Sequence, residues 1–263
     1  MDVRVYPGRY QKQHFPSDEG KAKVIYDSNP QKPPKAVAFD LDETLGNFSD
    51  LYLLWKSQSH PDSSVFTRLL DLFPEFMRVG ILDVLRFLKS KIDAGECHPI
   101  YIYTNNQCGT EWVEMIVAYF EQKTGISFAR PICAYKIGNR RIEPNRTTHE
   151  KTYDDFVRCS MLKVPFEMCF VDDRNYGPMR KSKVYYIQPP PYFHPLTKEE
   201  IDTRILTGKR PTIDTKWPRH KREQDITNKV MYYLREFFLM NLLRSGRGRT
   251  RKRKFRVGTK KRR

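Results

Sequence analysis

Ala36-Val37-Ala38-Phe39-Asp40-Leu41-Asp42-Glu43-Thr44-Leu45 is an apolar run that ends in two aspartates one residue apart. Four apolar residues followed at once by acids read as a strand covered on both faces, with its polar chemistry at the carboxyl end. Two later runs end the same way: Ile100-Tyr101-Ile102-Tyr103 leads into Thr104, and Met168-Cys169-Phe170-Val171 leads into Asp172 and Asp173. Lys151 stands between them at a predicted helix start.

The same alternation extends outward. Short apolar runs at 36–40, 99–104, 131–135, 168–172 and 184–187 predict strands, and helical patterns fall at 79–93, 110–123 and 151–160. The first of these helices places Ile81, Leu82, Leu85, Leu88 and Ile92 at three- and four-residue spacings and stops at Ala94-Gly95. Apolar strands separated by helices predict an α/β fold, a Rossmann-like parallel sheet with helices on both faces. Ligands of such sheets bind beyond the carboxyl ends of the strands, where Asp40, Thr104 and Asp172 fall. About thirty residues separate Gly46 from Val79, enough for a small helical flap over 51–76 after the first strand but too few for a closed cap domain.

The folded domain is expected over 35–195. Residues 1–34 are polar and turn-rich, ending in Asn29-Pro30-Gln31-Lys32-Pro33-Pro34, and read as an extended arm. Gln188-Pro189-Pro190-Pro191-Tyr192-Phe193-His194-Pro195 reads as a stiff boundary. Beyond it, 196–244 is expected to be a helical extension packed on the core, with Ile226, Val230, Tyr233, Leu234, Phe237, Phe238 and Leu242 on its apolar face. Residues 245–263 form a basic tail with almost no apolar content, expected to be disordered.

Charge is concentrated in that tail. The chain carries a formal +17, yet Arg244 to Arg263 hold twelve basic residues and no acid, leaving +5 for the rest. Five cysteines, with no CxxC pair, argue against a disulfide or zinc framework and fit a reducing compartment. Nowhere do eighteen apolar residues run together, and the N-terminus lacks a signal-peptide core, so the expectation is a soluble intracellular protein with no membrane partner.

The acids, Thr104 and Lys151 together predict phosphoryl transfer. Asp40 and Asp42, two apart at a strand end, point to one side, so Asp40 can attack phosphorus while Asp42 serves as general acid and then base. Carboxylates facing a phosphate need a hard divalent cation, and Mg2+ held by Asp40, the main-chain carbonyl of Asp42, and Asp172, Asp173 or both is the expected cofactor. Thr104, the backbone N–H of Asn105 and Lys151 would hold the phosphoryl oxygens; Lys151 is preferred over Lys136, Arg146 and Lys163 for its place at a helix start.

This order of motifs resembles the haloacid dehalogenase superfamily, with DLDETL at 40–45 as its first motif, Thr104 its second, Lys151 its third and Asp172-Asp173 its fourth. Within it, the chain is most similar to the small phosphatases of the NLI-interacting-factor and RNA polymerase II C-terminal-domain group. Phe76-Met77-Arg78-Val79-Gly80-Ile81 resembles that group's Arg-Pro-Gly helix start, with Val79 in place of proline. The resemblance covers roughly residues 35–190 and implies a phosphoserine/phosphothreonine phosphatase with a phosphorylated protein as partner, such as the polymerase tail. It implies too that the second acid of the Asp172-Asp173 pair binds the metal directly. Asn105-Asn106 departs from the small residues usual after the second-motif threonine.

Two other functions fit the residues: a nucleic-acid end phosphatase whose tail grips its substrate, and a non-catalytic module associated with nucleic acid on the same fold. A phosphorylated receiver domain has its acids, Thr and Lys in another order, and no GxxxxGK[ST] is present for a nucleotide-cradling loop. The tail at 245–263 is dense enough to bind nucleic acid or another polyanion by counterion release, or to act as a nuclear import signal.

Overall fold

The computed structural model describes residues 2–7, 34–209 and 218–240. Along the chain run β1 (Arg4–Tyr6), β2 (Ala36–Phe39), α1 (Phe48–Lys56), α2 (Ser63–Leu72), α3 (Ile81–Asp93), β3 (Tyr101–Ile102) and α4 (Thr110–Thr124). Then come β4 (Lys136–Ile137), β5 (Arg140–Arg141), α5 (Tyr153–Ser160), β6 (Met168–Val171), β7 (Val184–Gln188), α6 (Lys198–Thr207) and α7 (Pro218–Leu239).

Five strands form one sheet in the order β1-β7-β6-β2-β3. β7, β6, β2 and β3 are parallel, whereas β1 joins the edge antiparallel to β7. Chain order reverses at β2, between β3 on one side and β6 on the other, which opens the crevice where α/β sheets bind ligands. Alternation along the strands supplies two faces. Val37, Phe39, Cys169, Val171, Tyr185 and Ile187 join a core with α1 to α4 and α7. Ala36, Ala38, Met168, Phe170, Val184 and Tyr186 face a second core with Phe156 and Cys159 of α5. Helices thus cover both sides, as an apolar parallel sheet requires.

The fold class stands as expected, with four differences in detail. First, 1–34 is not wholly an arm: Arg4, Val5 and Tyr6 pair with Gln188, Ile187 and Tyr186. Second, 131–135 is no strand; only Ile132 bridges to Tyr103. The next acceptor along, the Thr104 carbonyl, receives Arg146 Nη1 at 3.0 Å. Third, the insertion after β2 is a packed layer: Phe48, Leu51, Phe66, Leu69 and Leu70 are buried. Tyr52, Trp55 and Phe66 close on the Trp112 ring at centroid distances of 5.0–5.4 Å. Fourth, the proline segment after β7 lies on the core rather than outside it, with Tyr192 buried and its N–H donating to the Glu43 carbonyl at 2.8 Å.

α7 docks through Ile226, Val230, Leu234, Phe237 and Phe238. Leu242, residues 8–33 of the expected arm and the tail at 245–263 lie outside the described residues. No helix among the described residues is long and apolar enough to cross a membrane.

Candidate functional site

The register of three neighbouring strands builds the site. Phe39 pairs with Ile102 on one side and with Val171 on the other, so Asp40, Tyr103 and Asp172 emerge at one level. Asp40 N–H donates to the Val171 carbonyl at 2.9 Å and Tyr103 N–H to the Phe39 carbonyl at 2.8 Å. Lys151 arrives from the α5 side, directly before Thr152, whose hydroxyl caps α5 by accepting from Asp155 N–H at 3.0 Å.

Carboxylate oxygens of Asp40, Asp172 and Asp173 lie within 4.8 Å of one another, and all three residues are buried. Lys151 Nζ contacts Asp40 Oδ1 and sits 2.7 Å from Asp172 Oδ2. Burial alone would lower the Lys151 pKa, but Asp172 and then Asp40 outweigh it and hold the ammonium charged. One ammonium does not balance three acids. Burial drives Asp172 well above the usual carboxylate range against the pull of Lys151, with the Asp40 charge adding to the rise. Asp173 is pushed up to about 6 by burial and then by Asp40, although the Thr44 hydroxyl donates to it at 2.9 Å. Three buried oxygen donors with excess negative charge fit a hard divalent cation.

Asp42 is held separately. Asn106 Nδ2 donates to its Oδ2 at 2.6 Å and Ser49 Oγ to its Oδ1 at 3.1 Å. Burial still raises it to about 6, the range in which a carboxyl both gives and takes a proton near neutrality. Its side chain is not in the three-acid cluster.

Thr104 is buried, and its Oγ1 accepts from Asn106 N–H at 3.0 Å, which leaves the hydroxyl hydrogen without an acceptor among the described residues. The Asn105 side chain turns to Tyr176, donating to its hydroxyl at 3.4 Å. Asp40, Asp42, Thr104, Asn105, Lys151, Asp172 and Asp173 therefore come together, from elements as much as 133 residues apart in the chain.

Four supporting residues had no such role in the sequence reading. Thr44 is shared: its hydroxyl donates to Asp173 Oδ1 and accepts from Asp173 N–H, both at 2.9 Å. Asn106 gives the departure from small residues a purpose, since its side-chain amide fixes Asp42, while its backbone N–H, which any residue there would supply, donates to Thr104. Buried Arg78 donates to the carbonyls of Thr44 at 2.6 Å, Glu43 at 2.7 Å and Pro190 at 2.7 Å, so it clamps the loop after Asp42. Buried Arg146 donates to the carbonyls of Thr104 at 3.0 Å, Cys133 at 2.9 Å and His149 at 3.1 Å, tying the Thr104 loop to the segment before Lys151. Several carbonyl acceptors converge on each of these two arginines, as a buried guanidinium needs, and nothing local in the sequence sets them apart from the other arginines of the domain. The tight turn also requires Gly46, where an added Cβ would stand 2.4 Å from the Phe76 carbonyl oxygen.

No protein-family model matches the chain, and no curated protein matches it.

Proposed function

We propose that the protein is a magnesium-dependent phosphatase working through an aspartyl-phosphate, with phosphoserine or phosphothreonine of a protein as substrate. What carries this reading is the division of carboxylates into two environments. Asp40 is held against Lys151 beside Asp172 and Asp173, while Asp42 is held apart by Asn106 and Ser49 at a pKa near 6. One environment suits a nucleophile set beside a cation, the other a group that exchanges a proton.

In the first step an Asp40 oxygen attacks phosphorus, the bond to the leaving oxygen breaks, and Asp42 gives that oxygen its proton. In the second, water attacks the phosphorus of the aspartyl-phosphate, Asp42 takes a proton from it, and the bond to Asp40 breaks to release phosphate. Lys151, the Thr104 hydroxyl and the Asn105 N–H hold the non-bridging oxygens, where transition-state charge gathers. Magnesium bound by Asp40, Asp172 and Asp173, with the Asp42 carbonyl, would neutralise the charge that otherwise keeps a carboxylate from a phosphate dianion.

The resemblance of the 40–45 stretch to the first motif of haloacid dehalogenase phosphatases favours the same chemistry. A macromolecular substrate suits an insertion after β2 whose apolar residues are spent on the core. Residues 245–263 would bring the enzyme to nucleic acid or the nucleus. The test is to assay phosphopeptides and 3′- or 5′-phosphorylated oligonucleotides side by side, with magnesium and with it chelated. The expected result is magnesium-dependent phosphate release from phosphopeptides. Turnover of oligonucleotides alone would transfer the substrate assignment to nucleic-acid ends, and no turnover of any phosphoester would end the enzymatic reading.

A further inference from the structure

Tyr186 and Gln188 lie two apart on β7 and so point to one face. Between them they hold the loop that carries the acidic pair. Gln188 Nε2 donates to the Asp173 carbonyl at 2.9 Å; the Tyr186 hydroxyl donates to the Arg174 carbonyl and accepts from Tyr176 N–H at 3.3 Å. Tyr6 of β1 touches both side chains. Its ring meets that of Tyr186 edge-on at 5.9 Å, and its hydroxyl donates to Gln188 Oε1 at 3.2 Å.

We infer that β1, through Tyr6, is a positioning element for the cation site, because its hydroxyl fixes the Gln188 amide that fixes the loop of Asp172 and Asp173. The inference rests on the proposed reading of that loop as a cation site. An amide presents a donor end and an acceptor end in nearly the same shape. With Oε1 held by the Tyr6 hydroxyl, Nε2 faces the Asp173 carbonyl; without that hydroxyl, nothing from β1 prevents the amide from turning an oxygen toward that carbonyl. Tyr6 itself is well held. Val3 is buried, Asp2 pairs with Lys229 of α7 at 2.6 Å, and the Arg180 guanidinium lies 3.7 Å from the centre of the Tyr6 ring. The N-terminal strand is thus joined to the acids by two hydrogen bonds, although 167 positions separate Tyr6 from Asp173.

The experiment is magnesium titration by calorimetry on the full chain and on Tyr6→Phe, Gln188→Leu and the double variant, with Asp173→Asn as the site-loss control. Tyr6→Phe keeps the ring and removes one oxygen. It is expected to raise the magnesium Kd about tenfold, the size found for groups that orient metal ligands. Phosphatase activity of Tyr6→Phe should show a matching rise in the magnesium requirement that saturating magnesium overcomes. Gln188→Leu should lose at least as much, and the double variant no more than Gln188→Leu alone, since both act through one path. Gln188→Leu alone against wild type decides the matter if Tyr6→Phe does not fold, because unchanged affinity there also overturns the inference. An unchanged Kd in Tyr6→Phe, or losses that add in the double variant, would overturn it while leaving the site intact. Magnesium uptake absent from wild type and Asp173→Asn alike would instead remove the cation site, and this inference with it.

Discussion

The two ends of the parallel strands bury charge in opposite ways. At the amino end, before β2, Lys35 faces Glu167 at 2.8 Å, and its ammonium also donates to the carbonyls of Phe237 in α7 and, at 2.6 Å, of Met240 just after it. Both partners are nearly inaccessible, a cation set against an anion. At the carboxyl end, one ammonium faces Asp40 and Asp172, with Asp173 in the same cluster and Asp42 alongside. A matched pair serves the fold, because losing either member strands a buried charge. An unmatched cluster opposes the fold and is kept where a ligand will relieve it.

Substitution at the two ends should separate activity from stability. Asp40→Asn is expected to lower phosphate release by at least about 10³-fold, as loss of a nucleophile does elsewhere, with a melting temperature no lower than wild type. Lys35→Met, which removes the buried cation facing Glu167 at 2.8 Å, is expected to cost about 3–5 kcal/mol by denaturant unfolding while the folded fraction keeps its turnover. A destabilised Asp40→Asn beside a neutral Lys35→Met would reverse the contrast.

A smaller effect concerns pH. Burial raises Asp42 and Asp173 to about 6 and Asp172 higher, against 3.8 for an ordinary aspartate, so the folded chain holds these protons more tightly than the unfolded one. The cation-free protein should therefore lose stability as pH rises from about 4 through 6 toward 8. Magnesium should flatten that slope. Asp173→Asn should make the cation-free protein more stable than wild type at pH 8 by about 1–3 kcal/mol, each pKa unit being worth about 1.4 kcal/mol. Unfolding curves at both ends of the range, with and without magnesium, check the sign. The smallest effect is that of Asn106→Ala. Its hydrogen bond lowers the Asp42 pKa, so its loss should move the Asp42 limb of the pH–rate profile upward by roughly half a unit. A limb that stays in place would mean that Asp42 is not the titrating group.

Most of the sheet was legible because its parallel strands are continuous apolar runs, two of them with acids at their ends, a pattern that local sequence carries. β1 was not legible. Arg4-Val5-Tyr6 is too short for a periodicity, and only its pairing with β7 makes it a strand. The 131–135 segment failed in the reverse way: it has strand-like residues, but only Ile132 bridges, and the next acceptor along receives a side chain from Arg146. At the site, the residues carrying charge could be found from order along the chain. Those that aim them could not, because the bonds of Thr44 to Asp173 and of Asn106 to Asp42 join positions 129 and 64 apart. Nothing local to either residue marks such a bond.

The grip of Lys35 on the last turn of α7 also decides where the chain leaves the described structure. Met240 is anchored beside the start of β2, whereas Asp40 follows its end, so the whole four-residue strand, roughly 13 Å, lies between them. The described chain therefore ends at the pole of the sheet opposite the acid cluster, so the two poles can be altered one at a time.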